Sequence, residues 1–285
     1  MLIRNEVVAI FAADGPETGS PLRVVPDAGA LSTAAMAAFA REPGCDETAF
    51  VLPPEHPAAT YRVRVFTPDG ESPHGGHSCV GTAATLVRQG AVPAGRMVQE
   101  CGGKLQELTA TADRATLVTR ESVAIRATDR AGLVAAAGVA AADVAAAPPG
   151  LAGAFAFLPV RTVAALDTAR PDFPRMARSG PAALQVFAWD PGKRTAHARL
   201  FAPGFGIPED PACAPIAMAL GAWLVGAGLL TGAGVHEYRV RQGARGRQSL
   251  LWCTVTVADQ RPVAGSVTGR VVPAGRRDPH PTTPA

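Results

Sequence analysis

The 285-residue sequence is poor in charge and in aromatic rings: Asp, Glu, Lys and Arg make up 18% of it, and Phe, Trp and Tyr 5%. So few charges beside 47% apolar residues exclude a chain that is disordered throughout. Neither sign of charge dominates, since 27 Lys and Arg face 24 Asp and Glu. That balance leaves no electrostatic footprint for nucleic acid. The basic residues between Arg239 and Arg247 are interleaved with Gly and Gln, and read as a solvated strand or loop. Long apolar runs are missing as well. The most apolar stretch, around Ala214–Leu230, is broken by glycines and a proline, short of the roughly 18 residues that a membrane span requires. The five cysteines are an odd number with no Cys-x-x-Cys pair, so neither a disulfide framework nor a zinc site is expected. Met1 to Glu6 bring an acid too early for a signal peptide, and the expected location is the cytoplasm. His74 and His77 are close, but Pro73, Gly75 and Gly76 put them in a loop, and no phosphate-binding or dinucleotide fingerprint follows a strand. No metal and no organic cofactor is expected.

What is present is a mixture of short strands and a few helices. Residues 5–12 and 22–25 read as strands joined by a loop at Gly15–Pro21. Ser32–Arg41 reads as a helix capped by Ser32 or Thr33. Thr48–Leu52 and Tyr61–Phe66 read as strands, the second with the alternation of a half-buried sheet. Cys79–Val87 and Pro215–Val225 are apolar all round and read as buried helices. Strands are expected over Met97–Glu100, Leu105–Ala110, Ala115–Thr119, Phe155–Pro159, Leu184–Trp189, Ala196–Phe201, Val235–Val240, Leu250–Val257 and Val267–Val272. The alanine-rich Ala127–Ala154 is expected to hold one surface helix closed by Pro148-Pro149-Gly150. Residues 276–285 read as a loose tail.

The two halves share a pattern. Arg64-Val65-Phe66-Thr67-Pro68 ends a strand in the first, and Arg199-Leu200-Phe201-Ala202-Pro203 ends one in the second. Glu71-Ser72-Pro73 then corresponds to Glu209-Asp210-Pro211, and each copy leads into a buried helix. The repeat predicts two lobes of similar plan, 1–122 and 123–285, each sending a loop into a buried helix. A helix start offers unpaired N–H groups and a partial positive charge, a site suited to a carboxylate. Tight turns before core helices are the alternative reading.

The stretch Phe66-Thr67-Pro68-Asp69-Gly70-Glu71-Ser72-Pro73-His74-Gly75-Gly76-His77 resembles the Phe-Ser/Thr-Pro-x-x-Glu-x-Pro-x-x-Gly-His pattern of the PhzF-like family, which has the diaminopimelate epimerase-like fold. Arg199 to Ala212 resembles the family's second-half pattern, Asp46-Glu47-Thr48-Ala49-Phe50 the start of one of its strands, and Gln242-Gly243 with Gly246-Arg247-Gln248-Ser249 a stretch near its end. The resemblance implies an α+β fold of two pseudo-symmetric lobes, each a curved sheet wrapped round a central helix, with the final segment crossing back to the first lobe. It also implies a cofactor-independent isomerase or epimerase, often dimeric, acting on a small carboxylate-bearing metabolite in a site between the lobes. It places the acid/base on Glu47, with His77 and Asp210 in support. Substrate-binding positions are expected at Ser20, Gly75, Gly76, Ser78, Cys213 and Ala214.

The residues themselves leave alternatives open. Glu47 is either a partly buried acid/base or an exposed strand-start glutamate; His77 and Asp210 are substrate contacts or helix caps. Cys213 is a thiol activated at a helix start or a small packing residue, and Cys79 is expected in the core. Cys213-Ala214-Pro215 replaces the family's Thr-Gly-Ser. This substitution predicts a loop that sets substrate identity rather than the chemistry. Racemisation through Cys213 and non-catalytic binding remain the alternative functions.

Overall fold

A helix buried on every face has to be surrounded, and the chain does this twice. The computed structural model describes residues 3–15, 18–73, 75–121 and 123–274. The expectations placed on His74 and on the 276–285 tail lie outside the described residues. The chain divides into two units: one runs to Val118 and resumes at Thr268, and the other is Thr119–Val267.

The first unit holds β1 (Glu6–Ile10), β2 (Ser20–Val25), α1 (Thr33–Ala40), β3 (Glu47–Leu52), β4 (Tyr61–Thr67), β5 (Gly70–Ser72), α2 (Ser78–Arg88), β6 (Gly95–Cys101), β7 (Lys104–Ala110) and β8 (Arg114–Thr119). Strand β1 runs antiparallel to β2, and β2 runs parallel to β3 with Leu22 opposite Glu47. Strand β4 is antiparallel to β3 and parallel to β6, placing Val63 opposite Cys101. β7 and β8 come next as antiparallel neighbours. The end of the last strand of the chain pairs with both β8 and β1, which closes the sheet on itself. Helix α2 fills the ring: every residue from Ser78 to Leu86 is buried. Small side chains make this possible, and Gly81 faces Ile10 and Leu22 directly. Helix α1 covers the outside, packing Met36 and Ala40 against Val25, Phe50 and Phe66.

The second unit holds β9 (Arg126–Ala127), α3 (Arg130–Ala137), β10 (Gly150–Ala152), β11 (Phe155–Val160), α4 (Val163–Asp167), α5 (Phe173–Ser179), β12 (Ala183–Asp190), β13 (Thr195–Ala202), β14 (Ile207–Asp210), α6 (Ala214–Gly226), β15 (Gly234–Gln242), β16 (Ser249–Ala258) and most of β17 (Arg261–Pro273). It repeats the plan of the first. β11 and β12 are parallel, β12 and β13 antiparallel, and β13 and β15 parallel with Ala198 opposite Gln242. Helix α6 is the central helix, with Ile216, Leu220, Trp223 and Leu224 buried. Helices α3, α4 and α5 cover the outside through Leu133, Leu166 and Met176. Each unit is thus a curved sheet round a buried helix, and the fold is α+β.

Three local expectations change. Strand β2 begins already at Ser20, inside the stretch expected to be loop. Helix α3 stops well before Pro148, at Gly138, which takes φ +61; a Cβ there would fall on the Arg170 carbonyl, and only glycine fits. Residues beyond it form a short turn and then β10, so Gly150 begins a strand instead of closing a helix. Helices α4 and α5, not expected, are short pieces started by side-chain caps from Thr162 and Asp172. By contrast Ser32 caps α1 as expected, its hydroxyl accepting from the Ala35 N–H.

Inside α6, Gly221 leaves room for the Tyr238 hydroxyl, which donates to the Ala217 carbonyl at 2.7 Å. A Cβ on Gly221 would stand 2.5 Å from that oxygen. Gly→Ala in a helix ordinarily stabilises by roughly 1 kcal/mol. Here the expected sign is reversed: Gly221→Ala should destabilise by about 1–3 kcal/mol, measured by denaturant unfolding, and a stabilised variant would show that the ring is free to move aside.

Candidate active site

In both units an arginine–glutamate clamp fixes the hairpin that leads into the central helix. Arg64 donates to both carboxylate oxygens of Glu71, at 2.7 and 2.6 Å, and its guanidinium lies 5.2 Å from the Phe66 ring. Arg199 grips Glu209 at 2.9 and 2.8 Å and lies 4.9 Å from Phe201. A bidentate fork fixes distance and angle together. The Arg64 hydrogen bonds also hold the Glu71 carboxyl below its usual range, which makes Glu71 a fixed anion and a poor proton carrier.

Beyond the first clamp, Gly75, Gly76 and His77 bring the chain to the start of α2. His77 occupies the cap position, but its side chain makes no capping bond. Its Nε2 instead lies 3.3 Å from Glu47 Oε2, with the two side chains 13% and 12% exposed. The Glu47 carboxylate is therefore mostly withdrawn from water at the first residue of β3, which excludes the exposed strand-start reading. Ser78 opens the helix, fully buried, and among the described residues its hydroxyl has no hydrogen-bond partner. An unanswered buried hydroxyl beside a helix start is a place for a bound polar group. Ser20 is buried at the start of β2, at the end of that strand where Leu22 pairs with Glu47.

Cys79 is in the core as expected, its thiol donating to the Gly76 carbonyl at 2.8 Å, and burial pushes its pKa up. Cys101 is the residue that reading the sequence missed. A Cβ built on Gly75 would stand 2.7 Å from the Cys101 sulfur, so this thiol takes the space of a side chain at position 75. Burial, and then the charges of Glu47 and Glu71, push the Cys101 thiol up to about 11. The repeat contained the signal. Cys101 opposite Val63 matches Gln242 opposite Ala198, and each is succeeded by a positive-φ glycine, Gly102 and Gly243, close to Pro73 and Pro211.

In the second unit Asp210 is buried at the end of β14. Its Oδ1 accepts from the Ala212 N–H at 2.8 Å, so it closes a turn before α6 and is not the helix cap. Its main-chain carbonyl accepts from Gln242, which in turn accepts from Gln185, at 2.9 and 3.1 Å. Cys213 is the cap residue, half-buried and without a side-chain capping bond. Ala214 is the first helical residue, and Pro215 stands in the first turn, where a helix N–H has no intrahelical partner.

Among the described residues no group of His, Cys, Asp and Glu could hold a metal, and no helix is long and apolar enough to cross a membrane.

A curved sheet round a buried helix, met twice in one chain, is the diaminopimelate epimerase-like fold. A probable-proline-racemase structure from Agrobacterium radiobacter shares it at TM-score 0.62 and 15% identity, covering 95% of this chain and 91% of that one. The profile of the phenazine biosynthesis-like family, PhzC-PhzF, matches residues 8–276, and the chain belongs to that family. It is 29% identical to the uncharacterized isomerase YddE of Escherichia coli over 90% of this chain and 92% of that protein. It is 28% identical to the trans-2,3-dihydro-3-hydroxyanthranilate isomerase of Pseudomonas aeruginosa over 93% and 95%. Among solved structures, a predicted epimerase of P. aeruginosa aligns at TM-score 0.74 with 28% identity, over 99% of this chain and all of that one (100%). A PhzF-family protein of Bacillus anthracis aligns at TM-score 0.83 with 22% identity, over 96% and 98%. The chain is an isomerase, and its substrate is a small molecule.

A raised thiol pKa carries a stability signature. The folded protein keeps the Cys101 proton from the ordinary value of 9.0 up to about 11, while the unfolded chain has already released it. Stability from this group is therefore complete below pH 9 and lost as pH rises through that window. The melting temperature of Cys101→Ala should fall less than that of the parent between those pH values. Equal falls would show that the thiol ionises normally.

Proposed function

We propose that the protein is a proton-shift isomerase in which Glu47 is the acid/base. The observation that carries this is the Glu47–His77 pair, a carboxylate and an imidazole 3.3 Å apart and both mostly buried at the start of α2. Withdrawal from water favours a carboxyl that takes a proton and gives it back. Glu47 removes a proton from a carbon made acidic by a neighbouring carbonyl, imine or diene carboxylate. The conjugate acid returns it elsewhere on the same face. His77 holds Glu47 and polarises a substrate oxygen. The N–H groups at the start of α2, together with Gly75, Gly76, Ser78 and Ser20, take the substrate carboxylate. By the family resemblance, Asp210 is a further catalytic position, and Cys213 and Ala214 are further substrate-binding positions.

The substrate class is a cyclic or aromatic amino-acid-like carboxylate, in keeping with the P. aeruginosa relative's name and with a role in secondary metabolism. On the same family grounds the enzyme is a cytoplasmic homodimer that needs no metal or organic cofactor. Racemisation through a pair of thiols is disfavoured. The thiol at position 75's side-chain space belongs to Cys101, and with its pKa at about 11 it is a weak source of thiolate at neutral pH.

The test is turnover of trans-2,3-dihydro-3-hydroxyanthranilate, followed by the change in its absorbance, in Glu47→Gln. Gln keeps the shape and cannot carry the proton, so a loss on the order of 100-fold or more is expected with the fold intact. A variant within about tenfold of the parent would remove Glu47 from the chemistry. Cys213→Ser should leave the rate nearly unchanged, and its inactivation would favour the thiol reading instead.

A further inference from the structure

Among the described residues, Arg23 is a buried cation with no carboxylate to answer it. It sits in β2 at 6% exposure, and all its side-chain hydrogen bonds among the described residues go to main-chain carbonyls. Nη1 donates to Phe39 O at 3.1 Å and to Glu42 O at 3.4 Å; Nη2 donates to Glu42 O at 3.4 Å and to Pro43 O at 2.9 Å. Its guanidinium also lies 5.0 Å from the Phe39 ring centroid, and that ring meets Phe50 of β3 edge-on at 6.2 Å.

These carbonyls are not scattered. Phe39 lies in the last turn of α1, at the negative end of the helix, and its carbonyl also accepts the Glu42 N–H at 3.1 Å. Glu42 and Pro43 belong to the connection after it, which turns at Gly44 with φ +109 and delivers Glu47 as the first residue of β3. The main chain of Arg23 is itself opposite Thr48, the residue after Glu47. The guanidinium thus ties the end of α1 and the approach to Glu47 to the strand beside Glu47. A lysine has the charge but not the planar fork that spans three carbonyls.

We propose that Arg23 is a positioning residue for Glu47: its fork holds the 41–46 connection so that the carboxylate meets His77. The inference rests on the reading of Glu47 as the acid/base. Arg23 touches no reacting atom, and its effect passes wholly through the connection.

The experiment pairs a crystal structure of Arg23→Met with kinetics on trans-2,3-dihydro-3-hydroxyanthranilate well below the melting temperature. The expected structure has the connection displaced and the Glu47 Oε2 to His77 Nε2 separation beyond about 4 Å, the limit of an ion pair. The expected kinetics are a kcat lowered about 10- to 100-fold, the scale of a misplaced catalytic group, with KM changed much less and partial recovery on adding a guanidinium salt. Arg23→Lys should fall between parent and Met variant in both measurements, and it serves alone if the Met variant does not fold. A Met variant that keeps the parental separation, or one with a displaced connection and unchanged kcat, overturns the proposal. So does a Lys variant identical to the parent in both respects when it is tested alone. If the parent itself does not turn over this substrate, the functional reading fails, and the Arg23 anchor is still decided by the structural arm.

Discussion

The whole structure depends on two helices that have no face to show to water. An apolar helix of this kind can be stabilised only by covering it on every side, and in each unit a curved sheet does so. The requirement reaches into composition: small residues such as Gly81, Ala83 and Ala84 in α2, and Ala217, Gly221 and Ala222 in α6, line the central helices closely enough for strands to meet them. It also explains where chemistry can sit. A surrounded helix can meet a ligand only at its ends, and its N-terminal end is where backbone N–H groups lack partners. Glu47 and His77 stand at such an end.

The hairpins before the two helices convert that general arrangement into a defined geometry. Arg64 with Glu71, and Arg199 with Glu209, are the same device built twice, each arginine also lying over a phenylalanine of its own strand. The two copies diverge between the clamp and the helix. The first continues through Gly75 and Gly76 to His77, with the Cys101 sulfur in the space above Gly75. The second continues through the Asp210 turn to Cys213, and there the residue matching Cys101 is Gln242, bonded to the Asp210 carbonyl. One scaffold therefore holds two unlike helix starts, one with a buried Glu47–His77 pair and one beside a network of amides.

Much of this was legible in the sequence because it depends on local pattern. The buried helices announce themselves as runs of small and apolar residues without a charge, and the repeat of Arg-x-Phe, Glu and Pro marks the hairpin ahead of each one. Ser32 was readable as a cap because capping needs only neighbours in sequence. The features that stayed hidden depend on residues far apart. Gly138 ends α3 because of the Arg170 carbonyl, which no window around Gly138 contains. Cys101 belongs to the site through strand register, and Arg23 through carbonyls on a helix end and a connection that sequence alone does not bring together. The clamps were visible as a motif, but the short strands β5 and β14 that they pin were not, since those strands are held by tertiary bonds more than by propensity.

In the proposed reaction the Glu47 carboxyl exchanges a proton with a substrate carbon. The most direct measurement is turnover of trans-2,3-dihydro-3-hydroxyanthranilate in heavy water, with mass spectrometry and NMR locating the label. Exchange of the Glu47 proton with solvent predicts deuterium at one product carbon with the parent protein and none above background with Glu47→Gln. Label entering at the parental rate in the Gln variant would contradict the account.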